Sequence, residues 1–517
     1  MEEDLLILAN ASVLTCDPAD SCGRRSLLLR EGTIVEISDS AQELVGVAPS
    51  ARVVDLTGKI LLPGFVNAHF HTESVLLRDR TEGRLFRDWP ADPLLRQVSR
   101  RLTDPGRRAV LSDLYRAGFA WHLKSGTTTA SEFLPAVDGY GFEIVHRLAE
   151  KTGIRLAIIL QNWDHVEYAK GKPDLLRSAA LSLGSIQDLT VYTLDTRVQA
   201  ARELGIPLAA HWGETSPEAE YFRKCFGKNL LELLKEHDAL FPNTQLIHLN
   251  YCVPADFKVA QGAGATPTLC PRSAAEKGTG YPALRHLKSY RGALCLGSDW
   301  GGADMMMELK FLRQLPFLLP GMPRWSSLEL LRMATIHGAG ALGLAGETGS
   351  IEVGKRADLV VLTPDDVRAS GFPEGASAPV MADYIVQRLD SRFITDVLIG
   401  GKFRVREGAL TDIDESELLH QLQRMRLEHY GAETARHLAE SPRGAWEPQM
   451  QGKIIPLLSV SKSQSFEELT EERPVAPAEV KGEPPPPEEK PVPQEPGRLI
   501  PELPKNVKRV FGEEEDL

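Results

Sequence analysis

The chain lacks a surplus of positive charge. Its 517 residues carry 59 Lys and Arg against 71 Asp and Glu, a formal net charge of -12, whereas sequence-independent nucleic-acid binding needs a basic surface to neutralise phosphates. Nucleic-acid partners are therefore set aside. Cysteine is scarce as well: Cys16, Cys22, Cys225, Cys252, Cys270 and Cys295 lie far apart with no Cys-x-x-Cys, which argues against both a disulfide framework and a zinc ribbon. A reduced, cytoplasmic setting is expected. No apolar run approaches the roughly 20 residues that span a bilayer, and the start Met1-Glu2-Glu3-Asp4 is acidic where a secretory leader is basic. No membrane partner is expected.

What is present is enough apolar material, 42% of residues, for one large core with an accessory domain and a tail. Residues 1–59 read as the first part of a β unit, with strand-like runs at Leu5–Leu8, Ser26–Leu29, Thr33–Ile37 and Arg52–Leu56 and a hairpin turn at Glu31-Gly32. Residues 345–412 hold further runs at Ala357–Leu362, Ile394–Lys402 and Phe403–Val405, so the two flanks are expected to meet in one composite β-sandwich domain. Between them, over 60–344, strand-like and helix-like patterns alternate, as in βα units around a parallel sheet. Candidate strands fall at 60–68, 127–133, 154–160, 188–193, 207–212, 244–249, 265–269 and 293–298. Eight strands in about 285 residues predict an α/β fold of the (β/α)8 TIM-like barrel type, whose sites lie at the C-terminal strand ends. The spacing of Leu418, Leu419, Leu422, Met425 and Leu427 predicts a helix within 413–442. Residues 443–517, rich in Glu and Pro, hold 15 acidic and 10 basic residues, and a disordered, solvated tail is expected there.

The run Leu62-Pro63-Gly64-Phe65-Val66-Asn67-Ala68-His69-Phe70-His71 ends in two histidines one residue apart. On a strand the period of two puts both on one face, where they either grip one metal ion or line a loop. Strand five ends in His211-Trp212-Gly213-Glu214, strand six in His248 and strand eight in Gly297-Ser298-Asp299. At a barrel mouth these ends converge. Three imidazoles and a carboxylate suit one divalent ion, Zn2+ or Fe2+, with a position open to water. The alternatives are structural histidines and an Asp299 that caps the next helix. Gly338-x-Gly340-x-x-Gly343 has the dinucleotide spacing, but it sits in a helical pattern and follows no strand, so no nucleotide site is assigned.

Taken in order, Pro63-Gly64-Phe65-Val66-Asn67-Ala68-His69-x-His71, His211-x-x-Glu214, His248 and Gly297-x-Asp299 resemble the amidohydrolase superfamily, in its branch of aminohydrolases and chlorohydrolases acting on purines, pyrimidines and triazines. Ser125-Gly126-Thr127-Thr128-Thr129, Cys270-Pro271-Arg272-Ser273 and Gly349-Ser350-Ile351-Glu352-Val353-Gly354-Lys355 extend the resemblance to about residues 4–412. It implies a metal-dependent hydrolase that deaminates an amino-substituted nitrogen heterocycle, or a chlorohydrolase or other C–N hydrolase of the same fold. His69, His71, His211 and Asp299 would be the ligands, with Glu214, His248 and Asp299 catalytic. The ion would lower the pKa of a water molecule towards about 7, Asp299 would accept its proton, Glu214 would protonate a ring nitrogen and His248 would hold the attacking oxygen. Two-metal members carry a carboxylated lysine on strand four, whereas this chain has no Lys between Lys172 and Lys224. One ion, zinc foremost, is the expectation. Asp88-Trp89 resembles the acidic-aromatic pair that helps nucleoside deaminases bind the sugar, or else makes a loop contact. A homo-oligomer is implied as well.

The substrate side departs from the resemblance. Methylthioadenosine and adenosylhomocysteine deaminases of this branch usually place a His shortly before a Tyr-Thr pair at strand four, where Leu189 stands ahead of Tyr192-Thr193. Ala274 replaces the usual Asn after Cys-Pro-Arg-Ser, and Asp299 is followed by Trp300-Gly301-Gly302-Ala303-Asp304. A barrel that keeps its metal but serves as a binding or regulatory protein is thus a second expectation. In residues 499–511, Leu499, Ile500, Leu503, Val507, Val510 and Phe511 approximate helical spacing; they read either as part of the disordered end or as a segment that docks a protein partner.

Overall fold

A computed structural model of the chain describes residues 4–81, 84–281, 283–319 and 321–440. The expectations for the 443–517 tail and for docking through 499–511 lie outside the described residues. The first flank forms β1 (Leu5–Leu14), β2 (Cys22–Arg30), β3 (Thr33–Ser38), β4 (Arg52–Asp55) and β5 (Ile60–Pro63). Glu31 and Gly32 join β2 to β3 with φ of 47° and 74°, the paired left-handed residues of a two-residue hairpin turn whose twist matches that of its strands.

Eight parallel strands follow: β6 (Phe65–Phe70), β7 (Thr127–Phe133), β8 (Arg155–Leu160), β9 (Ala180–Ser182), β10 (Leu208–Trp212), β11 (Gln245–His248), β12 (Thr266–Leu269) and β13 (Cys295–Leu296). They lie side by side in chain order, and a parallel bridge between Phe70 and Asp299 joins the last edge to the first. The result is a (β/α)8 barrel with its strands buried on both faces, which is why they read as apolar runs and not as alternating ones. The chain then returns as β14 (Leu359–Leu362), β15 (Ile394–Ile399), β16 (Lys402–Arg406) and β17 (Ala409–Leu410). These complete a mixed sheet in the order β17-β16-β15-β14-β5-β1-β2-β3, with β4 beside β1. Both flanks of the sequence therefore share one sheet. Arg155, which opens β8, reaches the buried carboxylate of Asp358 just before β14, and Gly400 N–H donates to the same carboxylate at 2.7 Å. The barrel is tied to the sheet there.

Two expected strands are placed differently. The run over 60–68 is not one strand: β5 pairs with β1 and β14 in the mixed sheet, and only from Phe65 does the chain enter the barrel. Gly64 makes the passage, because a Cβ there would lie 2.2 Å from Thr128 Oγ1. The strand expected over 188–193 is absent. The fourth barrel strand is Ala180–Ser182, and Thr190 instead caps the helix Val191–Leu204, its hydroxyl accepting from Thr193 N–H at 3.1 Å. Val191 and Thr193 have strand propensity, but the reciprocal Thr190–Thr193 cap decides the matter locally. The expected C-terminal helix runs Glu415–Glu440 and packs Leu418, Leu422 and Met425 against the helix Arg108–Lys124 and its neighbours.

Candidate metal centre

Strand β6 ends by presenting His69 and, just past it, His71 on one side. Their position is fixed from across the barrel seam. Ser298 and Asp299 N–H both donate to the His69 carbonyl, at 3.0 and 2.9 Å, while the Asn67 amide brackets Ser298, accepting from its N–H at 3.0 Å and donating to its hydroxyl at 2.7 Å. His248 and Asp299 adopt φ of 76° and 50°, left-handed conformations that cost about 1–2 kcal/mol for a residue with a Cβ. That strain turns both side chains towards the same point.

Around that point, His69 Nε2 lies 3.2 Å from His211 Nε2 and 3.3 Å from Asp299 Oδ1, and His71 Nε2 lies 3.4 Å from Asp299 Oδ1. Ligands held about 2.0–2.1 Å from a tetrahedral ion stand about 3.3 Å from one another. These three contacts are at ligand-shell spacing, and the donor atoms cluster in two overlapping groups that share His69, one with His71 and His211 and one with His248 and Asp299. Asp299 Oδ1 is buried and has no hydrogen-bond partner among the described residues, an arrangement that a Lewis acid satisfies. Burial first, and then neighbouring imidazoles, hold His71 and His211 well below the usual histidine range, so their nitrogens carry free lone pairs at neutral pH. Burial acts to raise Asp299, but the Lys277 ammonium leads the charges and hydrogen bonds that outweigh it and keep the acid well below the usual carboxylate range.

The remaining groups flank this set. His248 Nε2 lies 3.6 Å from Glu214 Oε2, and burial lowers its pKa. His69, His248 and Asp299 are buried, whereas His71 and His211 are partly exposed. Aromatic rings pack against the latter pair. Phe133 packs against His211 with ring centres 4.3 Å apart, Trp300 stacks on His71 at 5.6 Å and Trp89 packs against Trp300 at 5.1 Å.

A model of the amidohydrolase family matches residues 60–404. The chain belongs to the amidohydrolase family. It is 25% identical over 437 residues to a 5-methylthioadenosine/S-adenosylhomocysteine deaminase of Acetivibrio thermocellus, covering 80% of this chain and 96% of that one. Among solved structures it resembles an adenosine deaminase from Xanthomonas campestris with bound zinc, at TM-score 0.71 and 21% identity over 82% of this chain and 98% of that one. It also resembles the atrazine chlorohydrolase of Arthrobacter aurescens complexed with zinc, at TM-score 0.69 and 18% identity over 81% and 100%. These structural likenesses concern the fold.

The amidohydrolase brings together His69, His71, His211, Glu214, His248 and Asp299. Of the expected Asp88-Trp89 pair, Trp89 is buried against Trp300, which stacks on His71, whereas the Asp88 side chain is 56% exposed beside Arg87. Leu189 is buried in the segment between β9 and the Thr190 cap. Ala274 is buried on the helix Pro271–Glu276.

Two acids escaped the sequence reading. Glu132, late in β7, accepts from Thr72 N–H at 2.9 Å, from the Thr72 hydroxyl at 2.8 Å and from Tyr115 OH at 3.2 Å, which anchors the residue following His71. Burial first, then the nearby Glu73, pushes Glu132 up to about 8, and burial pushes Glu73 up to about 7. A carboxylate in a fully strand-like run that otherwise holds only uncharged residues was the available signal. Because Glu132 holds a proton in the folded chain that the unfolded chain releases near pH 4.3, it makes stability fall as pH rises from about 4 to about 8. In Glu132→Gln the denaturation midpoint should therefore decline less between pH 5 and 8 than in the unaltered protein. Identical declines would remove Glu132 as a source.

Proposed function

We propose that this amidohydrolase is a mononuclear aminohydrolase that deaminates an amino-substituted nitrogen heterocycle of the purine, pyrimidine or triazine kind. The reading is supported by the clustered donors of His69, His71 and His211 and of His69, His248 and Asp299, with Glu214 beside them. The deaminase names of its relatives support the substrate class. Strand β9, Ala180-Leu181-Ser182, offers no lysine to bridge a second ion. Zinc is the ion we assign, since three imidazoles and one carboxylate suit it. Once bound, it lowers the pKa of a water molecule towards about 7.

The chain's own residues do the rest. Asp299 takes up a proton of the attacking water, Glu214 delivers a proton to a ring nitrogen so that the adjacent carbon becomes electrophilic, and His248 Nε2 holds the incoming oxygen. Water oxygen adds to that carbon, the C–N bond breaks, and the amino group leaves as ammonia. Phe133, Trp300 and Trp89 wall the flat ring, and Asp88 meets only a substituent that extends out of the mouth. Six unpaired thiols suit a cytoplasmic protein. No described helix is long and apolar enough to cross a membrane. A homo-oligomer is proposed on family resemblance.

Metal analysis together with a panel of aminopurines, aminopyrimidines and aminotriazines tests the proposal. We expect about one metal ion per chain, ammonia release that stops on chelation, and a loss on the order of 10²–10⁴-fold in Glu214→Gln with the metal retained. A protein without stoichiometric metal would sink the mechanism. Chloride release without ammonia would make it a chlorohydrolase, and metal with no turnover would make it a binding protein.

A further inference from the structure

Lys277 follows the helix Pro271–Glu276 and stands four residues after Ser273, so the two side chains share a helical face. Both hold the same oxygen: Ser273 Oγ and Lys277 Nζ donate to Asp299 Oδ2, each at 2.5 Å. Lys277 also donates to Glu214 Oε1 at 2.8 Å. Its side chain is 4% exposed. The rings of Phe86 and Trp89 lie 4.9 and 5.5 Å from its nitrogen, and Trp89 is part of the aromatic wall that continues through Trp300 to His71. The ammonium therefore sits between the two proposed catalytic carboxylates and the pocket that would hold the ring. It has three N–H donors. Two serve the carboxylates, and the third has no acceptor among the described residues.

We propose that Lys277 is a specificity-determining residue, whose third N–H binds an oxo group or anionic nitrogen of the substrate. The inference rests on the deaminase reading and narrows its substrate class. Glu214 addresses a ring nitrogen next to the reacting carbon; Lys277, hydrogen-bonded to Glu214, addresses the next position along the same edge. The favoured substrate is thus an aminoheterocycle in which one ring nitrogen separates the amino-bearing carbon from an oxo-bearing carbon. A ring with only C–H at that position leaves a buried cationic donor unmade, which is costly, whereas an oxo oxygen satisfies it. The reaction itself is unchanged. Water oxygen replaces the amino group, ammonia leaves, and Lys277 neither gains nor loses a proton.

Matched pairs test this on the metal-loaded full chain: 4-amino-2-oxopyrimidine against 4-aminopyrimidine, and 4-amino-2-oxo-1,3,5-triazine against 2-amino-1,3,5-triazine. The unaltered enzyme should favour the oxo member of a turned-over pair by about ten- to hundredfold in kcat/KM. Lys277→Met also strips the shared cation from Asp299 and Glu214 and so slows both members. It should slow the oxo member about ten- to hundredfold more and thereby abolish the preference, and Lys277→Arg should keep part of it. No preference in the unaltered enzyme, or an equal loss for both members in Lys277→Met, overturns the assignment and leaves Lys277 as a clamp on the carboxylates. If no compound is turned over, the deaminase reading fails separately. Calorimetric binding of the same pairs then decides the lysine: an oxo preference lost in Lys277→Met supports it, and equal affinities overturn it.

Discussion

Asp299→Asn is expected to deplete the metal and to slow ammonia release on the order of 10³-fold or more. The reason is that Asp299 accepts on two sides at once. Oδ1 faces His69 and His71 at 3.3 and 3.4 Å, while Oδ2 accepts from Ser273 and Lys277. An amide has a single acceptor atom. Whichever way the asparagine sits, its NH2 points either at the ligand shell or at the Lys277 ammonium, so one side is always mismatched. Lys277 also loses half of its carboxylate pairing while it remains buried, and breaking a buried pair on one side typically costs about 3–5 kcal/mol. Metal stoichiometry, turnover and thermal midpoint should all fall together. Full metal content with turnover within tenfold of the unaltered enzyme would show that Asp299 is neither ligand nor proton acceptor.

Gly297→Ala should be nearly as damaging, although it touches no charged group. A Cβ at Gly297 would lie 2.6 Å from His69 Cβ, 2.8 Å from its nitrogen and 2.9 Å from its carbonyl oxygen. None of these atoms can swing aside, since two are backbone and the third is the root of the side chain. Overpacking commonly costs about 1–3 kcal/mol, more where the obstacle is rigid, and here relief requires parting β13 from β6. The His69 ring should move with its backbone and release the ion. Gly46→Ala is the matched control: Gly46 lies in the helix Ala41–Val47 with nothing within 4 Å of the added atom, and its stability should be equal or slightly raised. Equal behaviour of the two variants would mean that the seam at Gly297 has slack.

The residues proposed as metal ligands stand out in the sequence by type, because each lies at or just past a strand end and few other side chains can do that chemistry. Strand boundaries were less so. Ile60–Phe70 is apolar almost throughout, and nothing in its periodicity announces that Gly64 hands the chain from one sheet to another. Strand β9 is three residues long, too short for a period of two to stand out, while the neighbouring Val191-Tyr192-Thr193 carries a stronger strand composition and belongs to a helix. Lys277 was hidden for a different reason. In sequence Glu276-Lys277 reads as a solvated charge pair, and only the placement of Glu214, Asp299 and two aromatic rings around it reveals a buried cation. The i, i+4 relation to Ser273 was the one hint available.

The shared sheet imposes an order on synthesis. Strand β5 gains its partner β14 only after roughly 300 further residues have been made, about 15 to 60 s at ordinary rates of translation. Until then the edge of Ile60–Pro63, apolar throughout, is an open template for pairing with another chain. Ribosome pausing between the codons for residues 63 and 359 should therefore raise aggregation, whereas pausing after residue 410 should not.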